Sequence, residues 1–107
     1  MDIKNAIIES VCITNDDHGI LSIWVNLKFD GCGQGFGGYA LYLPNNLNQK
    51  NYAGHFIWRV MEIAEVSEWS HLRGKIVRAK ADYSKVHAIG HIIKDDWFDP
   101  TMEFEAL

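Results

Sequence analysis

Five glycines fall within the ten residues from Asp30 to Tyr39, which read Asp-Gly-Cys-Gly-Gln-Gly-Phe-Gly-Gly-Tyr. Sequence of the β-strand type leads into this segment and out of it. Because glycine has no Cβ, such a density indicates backbone positions with φ > 0 or close packing against the backbone. We interpret the segment as a wide hairpin loop or a bulged strand whose glycines permit tight packing. The alternative is a loop shaped for a partner or a small ligand, with Gln34 and Phe36 as its partner-contact residues.

Residues 33–38 also match the Gly-x-Gly-x-x-Gly pattern of dinucleotide-binding loops. Such a loop leads into a helix, whose N-terminus receives the pyrophosphate. Here the next residues, Tyr39–Leu43, alternate as a strand does, and no Gly-Lys-Ser/Thr sequence follows. The sequence therefore argues against both a dinucleotide site and a P-loop. Cys32 lies between two glycines without a local catalytic signature, so we interpret it as an inert loop cysteine.

Alternating apolar and polar residues, together with one apolar helical stripe, predict the order of the elements. The predicted strands cover residues 4–14, 20–29, 39–43, 75–81 and 86–93, and the predicted helix covers 52–66. This β-β-β-α-β-β order, with hairpin-length connections, implies a five-stranded, mainly antiparallel sheet with the helix across one face. The length of 107 residues is that of one domain, so we predict a single α+β domain over residues 1–107.

The charge and hydropathy of the chain limit its partners. The formal net charge is −4, the pI is near 5.6, and the lysines and arginines form no cluster. These values argue against direct nucleic-acid binding and are compatible with an acidic protein that meets a basic partner surface. The sequence contains no signal peptide and no apolar run that could cross a membrane. We therefore expect a cytoplasmic protein with no membrane partner.

A histidine and aspartate pattern near the C-terminal end suggests a metal site. His87 and His91 are four residues apart in the last predicted strand, so both imidazoles would project from one face. Asp95 and Asp96 follow them, and the sheet could bring the turn that holds His18 close to them. Histidines with an aspartate suit zinc or another first-row divalent ion, either structural or, with an open position, able to support hydrolysis. The alternative is hydrogen-bonded histidines that fix the turn and the tail.

Two tryptophans lie on the polar sides of predicted elements. Trp24 shares a strand face with polar residues, and Trp58 lies on the polar side of the helix. Exposed tryptophan often anchors an interface. We therefore predict that Trp24 and Trp58, together with Gln34 and Phe36, contact a partner protein or a second copy of the chain. Packing of the helix on the sheet could bury these rings instead.

Four segments form a wider pattern: Asp-His-Gly at 17–19, Gly-Gln-Gly-Phe-Gly-Gly-Tyr at 33–39, Trp-Ser-His-Leu-Arg-Gly-Lys at 69–75, and Val-His-Ala-Ile-Gly-His at 86–91 leading to Asp-Asp-Trp-Phe at 95–98. Together they resemble a family of small proteins carried by bacteriophages and prophages. The likeness covers residues 5–98, and the glycine-aromatic segment is its most specific part. It implies a mobile-element context and carries over no functional residue.

Small acidic phage proteins without enzyme motifs are often inhibitors of host defence, including anti-CRISPR proteins that occlude a basic nucleic-acid groove. The resemblance therefore implies a non-enzymatic binding protein in the cytoplasm of a bacterial host, with a host protein or a protein–nucleic-acid complex as its partner. One alternative is a zinc-binding protein, which an open metal position would make a small hydrolase. The other alternative is a phage structural or assembly accessory protein.

Overall fold

The computed structural model describes residues 1–17, 19–46 and 48–107, with the backbone alone for residues 16 and 17. These residues form a six-stranded antiparallel sheet and two α-helices. The elements are β1 (Asp2–Asp17), β2 (Ile20–Phe29), β3 (Cys32–Gly37), α1 (Ala53–Ala64), a 3₁₀ turn (Trp69–His71), β4 (Ile76–Ala81), β5 (Val86–Gly90), β6 (Trp97–Phe98) and α2 (Pro100–Glu105). The predicted α+β class, with an antiparallel sheet and one main helix, is confirmed. Neither α-helix of the described ranges has the length and apolarity needed to cross a membrane.

The long strand β1 links the two halves of the sheet, whose strand order is β3-β2-β1-β4-β5-β6. It pairs with β4 through Asp2–Ile7 and with β2 through Ile7–Asp17, and a β-bulge follows Ile8. Bulges bend and twist a strand, and here the two halves of the sheet curl toward each other. As a result β3 contacts β5, which is not its neighbour in the sheet, and Gln34 Nε2 donates a 3.2 Å hydrogen bond to the carbonyl oxygen of Asp82.

Three phenylalanines from distant parts of the chain form the centre of the core. Phe36 of β3, Phe56 of α1 and Phe98 of β6 are fully buried, with ring centroids 5.3 to 5.8 Å apart. Aromatic pairs at this separation add to the burial of their apolar surface. Phe36 therefore anchors the glycine-rich segment in the core. The prediction that Phe36 contacts a partner is wrong for this fold, because its side chain has no exposed surface.

The glycine-rich segment is itself a strand, whereas the sequence suggested a loop or bulged strand followed by a strand at Tyr39–Leu43. Only Asp30 and Gly31 form the turn, with φ values of 53° and 74°, and Cys32–Gly37 is β3. Positive φ at both central residues is the conformation of a two-residue type I′ hairpin. Residues 39–43 make one isolated bridge, between Tyr42 and Leu21, and do not form a strand of the sheet.

The C-terminal residues add two elements that the sequence analysis did not predict. The fifth strand ends at Gly90 rather than at residue 93, and Trp97–Phe98 returns as β6 beside it. Helix α2 follows, with the Asp99 side chain accepting a 3.3 Å hydrogen bond from the Met102 amide and Pro100 in the first turn. An aspartate cap followed by proline is a favourable helix start. The described sheet therefore has six strands instead of five, and the described ranges contain a second helix.

Candidate functional site

The side of the sheet that faces away from α1 carries a tryptophan on a surface of glycines. The Trp24 indole lies over β3, so close that a Cβ on Gly35 or Gly38 would come within 2.7 or 2.4 Å of its ring atoms. Trp24 keeps 38% of its surface exposed. The glycines are therefore needed for close packing, as one interpretation of the segment predicted, and they hold an exposed indole flat against the sheet.

A second tryptophan repeats this arrangement at the other end of the sheet. A Cβ on Gly90 would lie 2.6 Å from the Trp97 ring, so the indole rests directly on β5. Lys80 Nζ lies 4.2 Å from the centroid of the Trp97 ring, and the Arg78 guanidinium carbon lies 4.8 Å from it. These distances are those of cation–π contacts. Arg78 also donates hydrogen bonds of 2.6 Å to two carbonyl oxygens of the 91–94 turn, which fixes its position.

Three isoleucines lie on the same side of the sheet as the two tryptophans. Ile3, Ile7 and Ile76 are 54%, 46% and 50% exposed. Ile7 is the register partner of Ile76, and Ile3 is the partner of Lys80, so their side chains lie side by side across β1 and β4. We call this surface the outer sheet face and define it by Ile3, Ile7, Trp24, Ile76, Arg78, Lys80 and Trp97.

The four predicted partner-contact residues do not share one surface. Trp24 belongs to the outer sheet face, whereas Trp58 is exposed on α1, beside His55, on the other side of the sheet. Phe36 is in the core, and Gln34 lies at the end of the curled sheet. The sequence analysis did not include Trp97 among the predicted contact residues. Gly90, seven residues before Trp97, is the sequence feature that could have indicated a ring packed on the strand surface.

A cleft of about 580 Å³ opens at the end of the sheet, between the two hairpin turns and the start of β1. Its apolar walls are Met1, Phe29, Ala81 and Tyr83. The Lys4–Asp30 ion pair, 3.0 Å long, lines it as well, and the hydrogen bond with Asp30 raises the pKa of Lys4. Gln34 Oε1 is buried at this cleft without a hydrogen-bond partner among the described residues. The cleft has the volume of a small-ligand pocket.

The predicted metal-site residues have separate partners. His91 Nε2 bonds the Glu65 carboxylate, while His91 Nδ1 accepts the amides of Ile93 and Lys94 at 3.0 and 2.9 Å. Both nitrogens of His91 are therefore occupied by the protein, and the ring fixes the turn after β5. This contact also lowers the pKa of Glu65, because His91 hydrogen-bonds its carboxylate.

The remaining members of the predicted metal set lie apart from His91. His87 Nε2 is 2.6 Å from Asp82 Oδ2, Asp96 Oδ1 accepts from Arg59 at 3.1 Å, and Asp95 is exposed. No three histidine, cysteine, aspartate or glutamate side chains form a metal-binding group within the described part of the chain. The prediction that both imidazoles project together is wrong, because β5 ends at Gly90 and a register irregularity lies beside His87. His18 lies outside the described residues.

Asp82 organises the β4–β5 turn. Its Oδ1 atom accepts hydrogen bonds from the amide and hydroxyl of Ser84, at 2.8 and 2.9 Å, and from the Lys85 amide at 3.0 Å. The hydrogen bond with His87, followed by those with Ser84 and Lys85, holds the pKa of Asp82 far below its ordinary value of 3.8. The ionised carboxylate therefore stabilises the folded turn.

We expect Asp82→Asn to change how the stability of the protein depends on pH. A depressed carboxylate pKa contributes stability above the unfolded-state value, and this contribution is lost as the pH falls below about 4. The variant should melt at a lower temperature than the natural protein at pH 7, and the gap should narrow steadily as the pH falls below about 4. Thermal melts across this range measure the gap. Asp95→Asn, which changes an exposed carboxylate outside the turn, should keep the natural pH profile; an unchanged profile in Asp82→Asn contradicts the assignment.

Arg59 joins α1 to the C-terminal elements. Its guanidinium binds Glu103 at 3.0 to 3.3 Å, Asp96 at 3.1 Å, the carbonyl oxygen of Trp97 at 2.8 Å, and the Glu62 carboxylate. Burial alone would lower the pKa of Arg59, but the hydrogen bonds, first of all with Glu103, outweigh burial and raise it. The sequence analysis did not identify Arg59 as a structural residue. In the fold it is nine-tenths buried and structural.

Comparison of the chain with protein-family profiles, with curated proteins and with solved structures found no match.

Proposed function

We propose that this chain is a non-enzymatic binding protein that contacts a host protein, or a protein–nucleic-acid complex, through the outer sheet face. The observation that carries this proposal is the exposure of Ile3, Ile7 and Ile76 on one uncovered face. The free face of an antiparallel sheet is ordinarily polar. Neighbouring apolar side chains on such a face are typical of a protein interaction site.

The tryptophans of this face have the properties of interface anchors. Trp24 and Trp97 are held flat by close contact with glycines, so few rotamers remain to be lost on binding. Tryptophan and arginine are also enriched among the residues that dominate binding energy. Arg78 is already fixed by Trp97 and by two carbonyl oxygens. Together these residues make a rigid, mostly apolar surface with a fixed cation.

The likeness to phage and prophage proteins supports a narrower proposal about the partner. We place the protein in the cytoplasm of a bacterial host, where it inhibits a defence factor, and a CRISPR effector complex is the first candidate. The net charge of −4 supports a protein surface, rather than bare nucleic acid, as the contact. Lys80 and Arg78 further favour a partner surface that combines apolar groups with carboxylates.

The proposal is tested with purified effector complexes from natural hosts of such phages. Binding is measured with the natural protein and with Ile76→Glu, which places a charge at the middle of the outer sheet face. We expect Ile76→Glu to weaken binding and inhibition by about tenfold or more, because an unpaired charge would be buried at the contact. Met102→Glu is the matched control, since Met102 is an exposed apolar residue of α2, away from this face. It should bind as the natural protein does.

Two results contradict the proposal. One is the absence of binding to any defence complex of a natural host. The other is equal weakening by Ile76→Glu and Met102→Glu, which would remove the outer sheet face from the contact. Direct binding to single-stranded DNA or RNA, with a strong dependence on salt, would replace the protein partner with nucleic acid.

A further inference from the structure

Two cations lie side by side on the outer sheet face, next to one indole. Arg78 and Lys80 are two residues apart in β4, so both side chains project from the same side of the strand. Lys80 Nζ lies 4.2 Å from the centroid of the Trp97 ring, and the guanidinium carbon of Arg78 lies 4.8 Å from it. All three residues are partly buried, so water and salt screen the two charges less than on an open surface. We call Arg78 and Lys80 the cation pair.

The cation pair has no carboxylate partner in the part of the chain that the structure describes. Acidic residues flank it in the sequence, with Asp82 after Lys80 and Asp96 before Trp97. Asp82 binds a histidine at 2.6 Å, however, and Asp96 accepts from an arginine on α1 at 3.1 Å. Asp95 is exposed and forms no ion pair among the described residues. Like charges so close together repel each other, and an anion bound beside both would offset this repulsion.

Both members of the cation pair keep donors for such an anion. Arg78 Nε and Nη2 donate to the carbonyl oxygens of His91 and Lys94, whereas Nη1 has no acceptor among the described residues. Lys80 Nζ likewise donates to no described oxygen atom. Asn5 is the register partner of Arg78 and is exposed, so it adds an amide to the same surface. Hydrogen bonds from arginine and lysine to an anion are short and strong.

The apolar neighbours of the cation pair limit the kind of anion. Ile3 is the register partner of Lys80, and Ile76 lies two residues before Arg78 on the same side of β4. Both isoleucines are about half exposed. A carboxylate between aliphatic side chains matches the cations and the isoleucines together. A nucleic-acid strand carries a charge on every phosphate, and the net charge of −4 repels such a polyanion more than a single carboxylate.

We propose that the cation pair binds the carboxylate of a glutamate or aspartate of the partner protein, and that aliphatic residues beside this carboxylate cover Ile3 and Ile76. This inference rests on the proposed function, because it names the group that the partner presents to the outer sheet face. Complementary charges at an interface select the partner and speed association. Arginine and tryptophan are also the residue types most enriched where binding energy concentrates.

The test uses the full chain labelled with fluorotryptophan, whose four indoles are followed by fluorine NMR. The Trp97 resonance is assigned with Trp97→Phe. Three short capped peptides differ only in the residue between two leucines, which is glutamate, glutamine or lysine. We expect the glutamate peptide to shift the Trp97 resonance saturably and to bind about tenfold more tightly than the other two peptides. Trp58, exposed on the other side of the sheet, should not shift.

Two lysine variants locate the carboxylate contact. Lys80→Gln should weaken binding of the glutamate peptide by about tenfold, because it removes a charge-assisted hydrogen bond. Lys28→Gln is the matched control, since it removes the same charge from the same side of the sheet. Lys28 pairs with Ile7, whereas Lys80 pairs with Ile3, four residues away on β1. Salt screens this more distant charge, so the control should lose less than about twofold. Thermal melts check that both variants are folded.

Each contrary outcome overturns a definite part of the inference. Equal affinity of the glutamate and glutamine peptides overturns the carboxylate contact, and equal effects of the two lysine substitutions remove it from the cation pair. Tight binding of oligothymidylate, falling steeply with salt, makes a nucleic acid the ligand. A Trp97 shift that grows with protein concentration alone, together with a dimer in sedimentation, makes a second copy the occupant.

The inference and the proposed function can fail separately. If a host complex binds Lys80→Gln as tightly as the natural protein, the inference fails and the proposed function stands. If no host complex binds the natural protein, the proposed function fails. The peptides alone then decide whether the cation pair binds a carboxylate.

Discussion

Replacing Arg59 with methionine should lower the free energy of unfolding by about 3 kcal/mol, because it removes a nearly buried cation from several charge-assisted hydrogen bonds. Methionine keeps an apolar stem but loses the guanidinium, whose carbon lies 5.5 Å from the centroid of the Phe98 ring, and Glu103 and Asp96 lose their partner. The carbonyl oxygen of Trp97 also loses its hydrogen bond from the guanidinium. Glu103 and Asp96 are 27% and 41% exposed and can regain hydration, so the lost hydrogen bonds of the guanidinium account for most of the expected loss.

The Arg59 effect is measured by urea unfolding at pH 7, with tryptophan fluorescence and circular dichroism as separate probes. Arg59→Lys should recover only part of the loss, since an ammonium cannot reproduce the planar set of guanidinium donors. Lys94→Ala is the control. It breaks a 3.5 Å contact between exposed groups, Lys94 and Glu65, and should cost less than about 1 kcal/mol. Equal losses for Arg59→Met and Lys94→Ala would show that the network does not tie the C-terminal elements to α1.

The hairpin formed by β2 and β3 shows how much of the fold could be predicted locally. The alternation of residues 20–29 gave β2 with its observed bounds. Asp30-Gly31 is a strong signal for a two-residue turn, and from Gly33 to Gly37 glycine alternates with Gln34 and Phe36 as in a strand. Local sequence therefore contained the hairpin, but the density of glycine was interpreted as a wide hairpin loop or a bulged strand. No local pattern could show that Trp24 would cover those glycines, because that contact depends on the register between two strands.

The failure of the predicted metal site has a similar cause. The spacing of His87 and His91 suggested one face, but their partners are chosen by tertiary contacts. Asp82, five residues before His87, could have been proposed as its partner from the sequence. Glu65 lies 26 residues before His91, at the left-handed C-cap of α1, and only the docking of that helix brings it there. The spacing of two residues predicts that their side chains share a face only if both residues belong to the same regular strand.

The outer sheet face could be predicted only in part, for the same reason. Trp24 was assigned correctly to the polar side of β2, since alternation fixes the face of a residue within a strand. The isoleucines at positions 3, 7 and 76 gave no such signal, because apolar residues in a strand are ordinarily counted toward the core. Ile3 and Ile7 of β1 and Ile76 of β4 direct their side chains to the side of the sheet that α1 does not cover, so these side chains stay exposed.

Replacing Gly37 with alanine should destabilise the protein by about 3 kcal/mol or more, the largest effect expected for adding one methyl group to this chain. Gly37 has a φ of 135°, which side chains rarely adopt, and its Cβ would lie 2.0 Å from the carbonyl oxygen of Ile23. Both strands would have to separate to relieve this contact. The cost should exceed that of Gly35→Ala, since there the Cβ meets the Trp24 ring, which can move away at the surface.

The comparison is completed by Gly54→Ala, because a Cβ on Gly54 in the first turn of α1 meets no atom within 4 Å. This variant should raise the free energy of unfolding by about 0.5 kcal/mol through helix propensity and a smaller unfolded-state entropy. Urea unfolding of the three alanine variants gives their order, and near-ultraviolet circular dichroism reports whether the Trp24 ring stays fixed. If Gly37→Ala were as stable as Gly54→Ala, the close approach of β3 to β2 would be contradicted. If Gly35→Ala kept its stability but lost the Trp24 signal, the glycine surface would serve to position that ring for a partner and not to stabilise the fold.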